Sequence, residues 1–322
     1  MDDPARGVVV GYDGSASADD AVDWAAAEAR QRAVPLTVLH ALDPVDLAGA
    51  RLSSFSTQPA EDAAQQITAR GAARARADSP GAAGPEGPGS AGPEVLEVRE
   101  DTSVGNVSAS LVEASGWADL LVVGTRGHGE VRSALLGSVA FTVASHAECP
   151  VIVVRGFHGM PGPNRAVVVA VDRWPGSEPQ VEFAADAAAS GDAPLVVVTA
   201  YRLVPAEIKV SRGEWKEEYG NEPREVRLGA DVADEAADGA LLHARGRHPG
   251  LEVRAEIAEG PAAEVLDAKA DVAGLLVVGH RGAGGFPGLR LGSVARAVLH
   301  QAPCAVAVVR PREAGAAGAG TA

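Results

Sequence analysis

The sequence predicts an α/β protein made of two tandem, doubly wound, Rossmann-like domains, each with a five-stranded parallel sheet. Three observations support this fold class. Short runs of β-branched residues alternate with alanine-rich stretches, which is the pattern of repeated strand–helix–strand units. The runs Val8–Val10 and Val167–Val169 are apolar without interruption, as expected of parallel strands covered by helices on both faces. A glycine spacing also occurs twice in equivalent contexts, which indicates an internal repeat.

The elements are expected to follow one another in the same order in both halves, because turn residues separate the runs in the same way. In the first half, strands are predicted at 7–12, 35–41, 94–99, 119–124 and 150–154, with helices at 17–32, 59–77, 104–115 and 137–146. In the second half, strands are predicted at 165–171, 194–200, 251–257, 273–279 and 305–309, with helices at 177–190, 223–246, 261–270 and 292–301.

The repeated glycine motif has the spacing Gly-x2-Gly-x9-Gly-Ser. Its first copy follows the apolar run Leu121–Val123 and comprises Gly124, Gly127, Gly137 and Ser138. The second copy lies 155 positions further along and comprises Gly279, Gly282, Gly292 and Ser293. Each copy leads from a predicted strand end into a predicted helix, an arrangement that typically cradles phosphate.

The repeat extends beyond the glycine motif, so we infer two homologous domains. Trp24 matches Phe183, and both are expected to be core residues on an amphipathic helix. Cys149 matches Cys304 just before the last predicted strand of each half. We therefore predict domains at 1–155 and 165–310, a linker at 156–164, a proline- and glycine-rich loop at 78–93, and a disordered tail at 311–322.

Composition narrows the classes of function. The net charge of −15 argues against non-specific binding to nucleic acid or to anionic membranes. The sequence shows no apolar run near the length of a membrane span and no signal-peptide features, so we expect a cytoplasmic protein without membrane contact. The two cysteines are expected to be reduced and partly buried thiols, because no CxxC spacing indicates metal or redox chemistry.

A crevice is expected where the strand ends face the glycine loop. In a doubly wound sheet, ligands bind beyond the carboxyl ends of the strands, where the strand order reverses. Asp13 follows one predicted strand and Gly124 ends another, so both are expected to face one crevice. Gly124 and Gly127 let the backbone approach a ribose or phosphate, since no Cβ intervenes. Gly137 and Ser138 would open a helix and offer free N–H groups to an anion.

Structural interpretations of the same residues stay open at this point. Asp13 with Gly14–Ser15 also suits a plain turn and a helix N-cap. Ser138 and Ser293 suit N-caps that bind no ligand. Arg126 and its counterpart in the second copy are equally compatible with phosphate contact and with a solvated position.

With both motifs in place, the chain resembles the universal stress protein family in its tandem two-domain form. The residues that carry the resemblance are both glycine loops, Val10–Ser15, and the closing segments Ala147–Val154 and Ala302–Val309. The resemblance implies that Val151–Val154 and Val306–Val309 pair across a pseudo-twofold axis, as an intramolecular pseudo-dimer. A further homodimer is compatible with it. It also implies ATP binding, because this glycine loop is the signature of members that bind ATP.

The resemblance assigns ATP contacts residue by residue, with or without Mg²⁺. In the first site it implies Asp13 and Ala41 around the adenine and ribose, Gly124 and Gly127 at the ribose and phosphates, and Gly137, Ser138 and Val139 at the phosphates. The corresponding residues of the second site are Asp172, Ala200, Gly279, Gly282, Gly292, Ser293 and Val294. No catalytic residue and no metal-ligating residue is assigned.

The second half departs from the pattern at the end of its first strand. Ala170 stands where the first half has Gly11, and Arg173–Trp174 stands where it has Gly14–Ser15. These larger side chains are expected either to block the second crevice or to contact the ligand differently.

Three functions are compatible with these features. The leading hypothesis is an ATP-binding regulatory protein of the stress response that acts through nucleotide occupancy, with little or no turnover. It is favoured because no nucleophile–base pair or paired acid–base carboxylates accompany the loops. The alternatives are a slow ATPase or nucleotidyl-transfer enzyme on the same fold, and a protein-interaction module with vestigial loops.

Overall fold

The computed structural model describes residues 7–45, 48, 56–77, 96–127, 136–202, 225–282 and 290–311. The loop predicted at 78–93 lies outside the described residues, as does the predicted tail beyond its first residue. The middles of the glycine loops, at 128–135 and 283–289, also lie outside them, whereas both ends of each loop are described.

The described strands form a single ten-stranded sheet. They are β1 (Val8–Gly11), β2 (Leu36–Leu42), β3 (Val98–Val104), β4 (Leu120–Gly124), β5 (Val151–Val154), β6 (Ala166–Ala170), β7 (Leu195–Tyr201), β8 (Val253–Glu259), β9 (Ala273–Gly279) and β10 (Ala305–Val309). Their order is β3-β2-β1-β4-β5-β10-β9-β6-β7-β8. Each half is parallel throughout, so the prediction of two doubly wound five-stranded sheets is confirmed.

Helices cover both faces of this sheet, as its uninterrupted apolar strands require. The main described helices are α1 (Ala16–Arg32), α2 (Gln58–Arg76), α3 (Val107–Ala114), α4 (Ser138–His146), α5 (Glu178–Ser190), α6 (Glu225–Arg247), α7 (Ala262–Ala270) and α8 (Ser293–Gln301). Helices α1, α2, α5 and α6 pack on one face, and α3, α4, α7 and α8 pack on the other.

The two halves join through β5 and β10, which pair antiparallel. Val306 lies opposite Val153, and Val308 lies opposite Val151. This is the pairing of the last strands that the sequence implies, and it merges the two predicted sheets into one. Pairing also covers two sheet edges that would otherwise be exposed, so that only β3 and β8 remain as outer strands.

The third strand of the first half lies later than predicted. The prediction of 94–99 is wrong at both ends, because β3 spans Val98–Val104. Residues 100–103 are polar and suggest a loop. However, β3 has one hydrogen-bonded neighbour, β2, and most of its side chains are exposed, so it needs no apolar run. The other outer strand, β8, begins and ends two residues later than the predicted 251–257. It also has a single neighbouring strand, β7, and partly exposed side chains.

Trp24 and Phe183 are core residues, as predicted, with exposed fractions of 2% and 9%. The Trp24 ring packs edge-on against Phe157 of the predicted linker, with ring centroids 6.2 Å apart. The Arg32 guanidinium lies 5.4 Å from the Phe183 ring centroid. Helix α1 of the first half therefore contacts helix α5 of the second half through a cation–π pair.

Both cysteines are thiols outside any disulfide, and the fold buries them more fully than predicted, with exposed fractions of 4% each. Burial raises the pKa of the Cys304 thiol to about 11, which keeps this sulfur protonated at neutral pH. Among the described helices, none combines the length and the apolar character that a membrane span needs.

Candidate functional site

Each half of the molecule carries one cavity at the carboxyl ends of its strands. The first cavity has a volume of about 500 Å³, and the second has a volume of about 460 Å³. Every residue that the sequence predicts for the first site lines the first cavity, namely Asp13, Ala41, Gly124, Gly127, Gly137, Ser138 and Val139. The same holds in the second cavity for Asp172, Ala200, Gly279, Gly282, Gly292, Ser293 and Val294.

The position of each cavity follows from the strand order. Strand β1 has β2 on one side and β4 on the other, so the chain leaves it at the point where the order reverses. The loops after β1 and β4 separate there and leave a crevice between them. Asp13 follows β1 and Gly124 ends β4, which brings both residues to the same opening. In the second half, β6 takes the place of β1 between β7 and β9.

An aspartate lies against the glycine loop in each half. A Cβ added to Gly127 would collide with Asp13 Oδ2. A Cβ added to Gly282 would lie 2.8 Å from Asp172 Oδ2, closer than such atoms approach in proteins. A larger residue at this loop position would therefore displace the carboxylate from its place on the cavity wall.

The first turn of α1 depends on the segment after Asp13. Ser15 donates its backbone N–H to Asp13 Oδ1 at 3.0 Å. The Ser15 hydroxyl accepts from the Ala18 N–H at 3.2 Å and caps α1. The turn and N-cap interpretation is correct for this segment, and it holds together with the position of Asp13 at the cavity.

A backbone hydrogen bond closes each glycine loop. The Gly137 N–H donates to the Thr125 carbonyl oxygen at 2.8 Å, and the Gly292 N–H donates to the His280 carbonyl oxygen at 2.7 Å. A Cβ on Gly137 would lie 2.9 Å from that Thr125 oxygen. Thr125 is held in turn, since its N–H donates to Val154 at the end of β5. Each loop therefore returns to the strand end from which it started.

The helices after the loops begin without a side-chain cap. Gly137 is the N-cap of α4 and Gly292 is the N-cap of α8, with no capping side chain described at either end. Ser138 and Ser293 are the first residues inside these helices, so the interpretation of them as N-caps is wrong. The first N–H groups of each helix have no partner within the helix and lie at the cavity wall. Such groups are available to hydrogen-bond an anion.

The part of the first cavity over β2 and α3 is apolar. Its wall is made by Leu39, Ala41, Val107, Leu111 and Val123. The cavity thus offers an apolar wall to one part of a ligand and backbone donors to another, which is the usual division of a small-molecule site.

Sequence reasoning missed Tyr12 and His40, which also line the first cavity. His40 Nδ1 lies 2.8 Å from the Tyr12 carbonyl oxygen, and the Tyr12 hydroxyl donates to Asp19 at 2.8 Å. Burial and the Asp19 hydrogen bond raise the pKa of Tyr12 to about 12. Tyr12 and His40 directly precede Asp13 and Ala41 at strand ends, and that adjacency is the signal that would have found them.

One arginine of each glycine loop lines the adjoining cavity. Arg126 lines the first cavity, and its Nε is buried without a hydrogen-bond partner among the described residues. Arg281 lines the second cavity. Each cradle therefore has a local positive charge, although the chain as a whole carries a net charge of −15.

The larger side chains of the second half do not fill its cavity. Trp174 packs against His243 with ring centroids 5.2 Å apart, and its ring also contacts Gly239 of α6. The Arg173 side chain lies over Gly176. Neither Arg173 nor Trp174 lines the second cavity, whereas Gln180 of α5 does, and sequence reasoning missed it.

The strand order and the crevice beside an uncapped helix in each half define a tandem α/β protein. The model of the universal stress protein family matches residues 5–155 and 163–310. A universal stress protein of Mycolicibacterium smegmatis is 32% identical over 315 residues, which cover 95% of this chain and 97% of that protein. The chain therefore belongs to the universal stress protein family, and the resemblance inferred from its sequence is confirmed.

Solved structures share this fold. The crystal structure of a universal stress protein from Archaeoglobus fulgidus covers 95% of this chain and 98% of its own, with a TM-score of 0.65 and 18% identity. A universal stress protein from the same organism, solved in complex with dAMP, covers 46% of this chain and 98% of its own, with a TM-score of 0.32 and 23% identity. That second structure matches only about half of this chain in extent.

Proposed function

We propose that this protein binds ATP in its glycine-loop cavities and acts in the cytoplasm as a regulatory stress protein through nucleotide occupancy, as a single-chain pseudo-dimer. The observation that carries the proposal is the uncapped N-terminus of α4, which the glycine loop holds against the first cavity. Free N–H groups and the positive end of a helix dipole favour a phosphate there.

The remaining walls of the first cavity suit the rest of a nucleotide. Asp13 offers a carboxylate acceptor to ribose hydroxyls, while Gly127 leaves room for that carboxylate beside the loop backbone. Ala41 and the apolar wall suit a flat base. Among the described residues, no three His, Cys, Asp or Glu side chains group to hold a metal. Mg²⁺ would therefore bind chiefly through the phosphates.

The titratable side chains of the first cavity support occupancy over turnover. Tyr12 donates to Asp19 and keeps its proton, since its pKa is raised to about 12. The His40 ring is held by a backbone carbonyl. Asp13 accepts the Ser15 N–H. These groups are engaged in holding the cavity wall, which favours a binding role.

Native mass spectrometry and calorimetry with ATP, with and without Mg²⁺, test the proposal. We expect up to two ATP per chain. Gly127→Val and Gly282→Val should each lower the ATP affinity of the affected cavity by about tenfold or more, because the new side chain meets the aspartate. Each variant should therefore retain one ATP fewer than the wild type in the mass spectrum. Gly250→Val is the matched control, since a Cβ there has open space around it.

Two results would overturn the proposal. One is wild-type protein that takes up no ATP under either condition. The other is ATP turnover at about 1–1000 per second, which is the range of ordinary enzymes and would assign the cavity to catalysis.

A further inference from the structure

The side chain of Gln180 is a buried amide that the fold itself does not explain. Gln180 is 6% exposed and lines the second cavity. Among the described residues, no hydrogen bond of its side chain is present, and its amide atoms are not among the fully buried polar atoms that lack a partner. The amide therefore faces the cavity, where a ligand can complete its hydrogen bonds.

The first cavity has no counterpart to this amide. The match of Trp24 with Phe183 sets Gln180 in register with Ala21, which is fully buried and does not line the first cavity. Beside Gly124, the first half instead has Ser17, whose carbonyl oxygen and hydroxyl oxygen both lie 2.5 Å from an added Cβ. The two cavities therefore differ at the start of the glycine loop.

The difference arises because α5 begins later than α1. Helix α1 begins three residues after Asp13, whereas α5 begins six residues after Asp172. The later start leaves space beside Gly279, and Gln180 fills it. Its Nε2 atom lies 3.2 Å from the position of a Cβ added to Gly279.

We infer that Gln180 determines the specificity of the second cavity by donating its side-chain N–H to a phosphate oxygen of the bound nucleotide. This inference rests on the proposed function. The amide lies at the start of the glycine loop, close to Gly279 and Arg281, and not at the wall formed by Val198 and Leu266. It thus faces the phosphate-binding part of the cavity, where it supplies an amide donor in place of the shorter Ser17 hydroxyl beside Gly124 of the first half.

Calorimetry with ATP, AMP and adenosine tests this, in a Gly127→Val background that leaves only the second cavity. We expect Gln180→Leu to lower the affinity for ATP by about tenfold or more, as for the loss of a hydrogen bond to a charged group. Adenosine affinity should change less than about twofold. Gln180→Glu should lower the affinity for ATP further, because a carboxylate repels phosphate. Glu182→Gln, on the same helix but paired with His243, is the control and should leave all three affinities unchanged.

Several outcomes would overturn the inference. An equal loss for ATP and adenosine would show that Gln180 supports the base or the packing. Unchanged ATP affinity in Gln180→Leu would show that the amide makes no contact. The Gly127→Val protein could bind no ATP while the wild type binds one. That result would show that the second cavity is not a nucleotide site, and the proposed function would then rest on the first cavity. Absence of ATP from every protein would overturn the proposed function itself.

A spectroscopic measurement does not depend on the folding of the Gln180→Leu variant. The side-chain NH₂ signals of Gln180, assigned by their loss in Gln180→Glu, should shift with ATP and not with adenosine. Signals that stay in place with ATP would contradict the inference.

Discussion

At the scale of single residues, Thr125 and His280 occupy the same place in the two glycine loops but respond differently to protons. Each donates its N–H to the last strand of its half and accepts from the N-cap glycine. Burial, with the charges of Arg310 and Arg281, lowers the pKa of His280 to about 4. The second loop therefore contains a histidine that the fold holds in its neutral form, whereas Thr125 does not titrate.

The stability of the second half should fall as the pH is lowered from about 6.5 to about 4. In that range the unfolded chain protonates His280 and the folded chain does not, so protons favour unfolding. His280→Thr places the residue of the first loop in the second. It should reduce the dependence of the unfolding free energy on pH in this range. Urea unfolding at pH 7.5 and at pH 4.5 measures the difference. Equal pH dependence in the variant and wild type would contradict the lowered pKa.

At the scale of elements, a helix glycine receives an aromatic ring in each half. A Cβ added to Gly71 of α2 would lie 2.7 Å from the Tyr12 ring, and one added to Gly239 of α6 would collide with the Trp174 ring. Tyr12 and Trp174 follow β1 and β6 but do not match in the repeat, so the two halves reach the same packing with different residues. Neither glycine is explained by helix propensity, which disfavours it by about 1 kcal/mol relative to alanine.

Gly239→Ala should destabilise the protein by about 1–3 kcal/mol, because the new methyl group meets the Trp174 ring in a packed site. Gly246→Ala is the matched control in the same helix, where an added Cβ has no neighbour within 4 Å. It should stabilise the protein by about 0.5–1 kcal/mol. Chemical denaturation of both variants measures this. A gain in stability from Gly239→Ala would show that the ring moves aside at little cost.

At the scale of the whole molecule, two arginines connect the halves across the β5–β10 pair. The Arg155 guanidinium donates to the carbonyl oxygens of Leu299 and His300 near the end of α8, at 3.0 and 3.2 Å. Arg310 donates to the Ser145 carbonyl oxygen in the last turn of α4 at 2.7 Å. Each half thus stabilises the C-terminal end of a helix of the other half, α8 or α4, where a cation is favoured.

Arg155→Ala and Arg310→Ala should each lower the free energy of unfolding by about 1–2 kcal/mol, since partly buried carbonyl groups lose a charged donor. The losses in free energy should add in the double variant. Because β5 and β10 run antiparallel, the Arg155 and Arg310 contacts lie at opposite ends of this strand pair. Arg99→Ala on the exposed β3 is the control and should change stability by less than about 0.5 kcal/mol. Urea unfolding that shows no loss for Arg155→Ala would mean that the Arg155 hydrogen bonds contribute nothing to the stability of the joined halves.

Much of the fold was predictable because its signals are local. Apolar runs such as Val8–Val10 and Val167–Val169 must be covered on both faces, which determines a parallel sheet without knowledge of the neighbours. Edge strand β3 was placed wrongly for the opposite reason. Solvent reaches its side chains, so its sequence of Glu100–Ser103 carries little apolar signal and only pairing with β2 defines it.

The sequence by itself determined that the chain is a tandem repeat, which glycines form the loops, and that Asp13 and Asp172 stand at strand ends. These follow from residue type and spacing, since only glycine allows the close approach that the loops need. The tertiary structure alone decided that Trp174 turns toward α6, that Gln180 lines the second cavity, and that the glycines before Ser138 and Ser293, not these serines, are the N-caps of α4 and α8. Those outcomes depend on where each helix starts and what packs beside it, and contacts between distant segments set both.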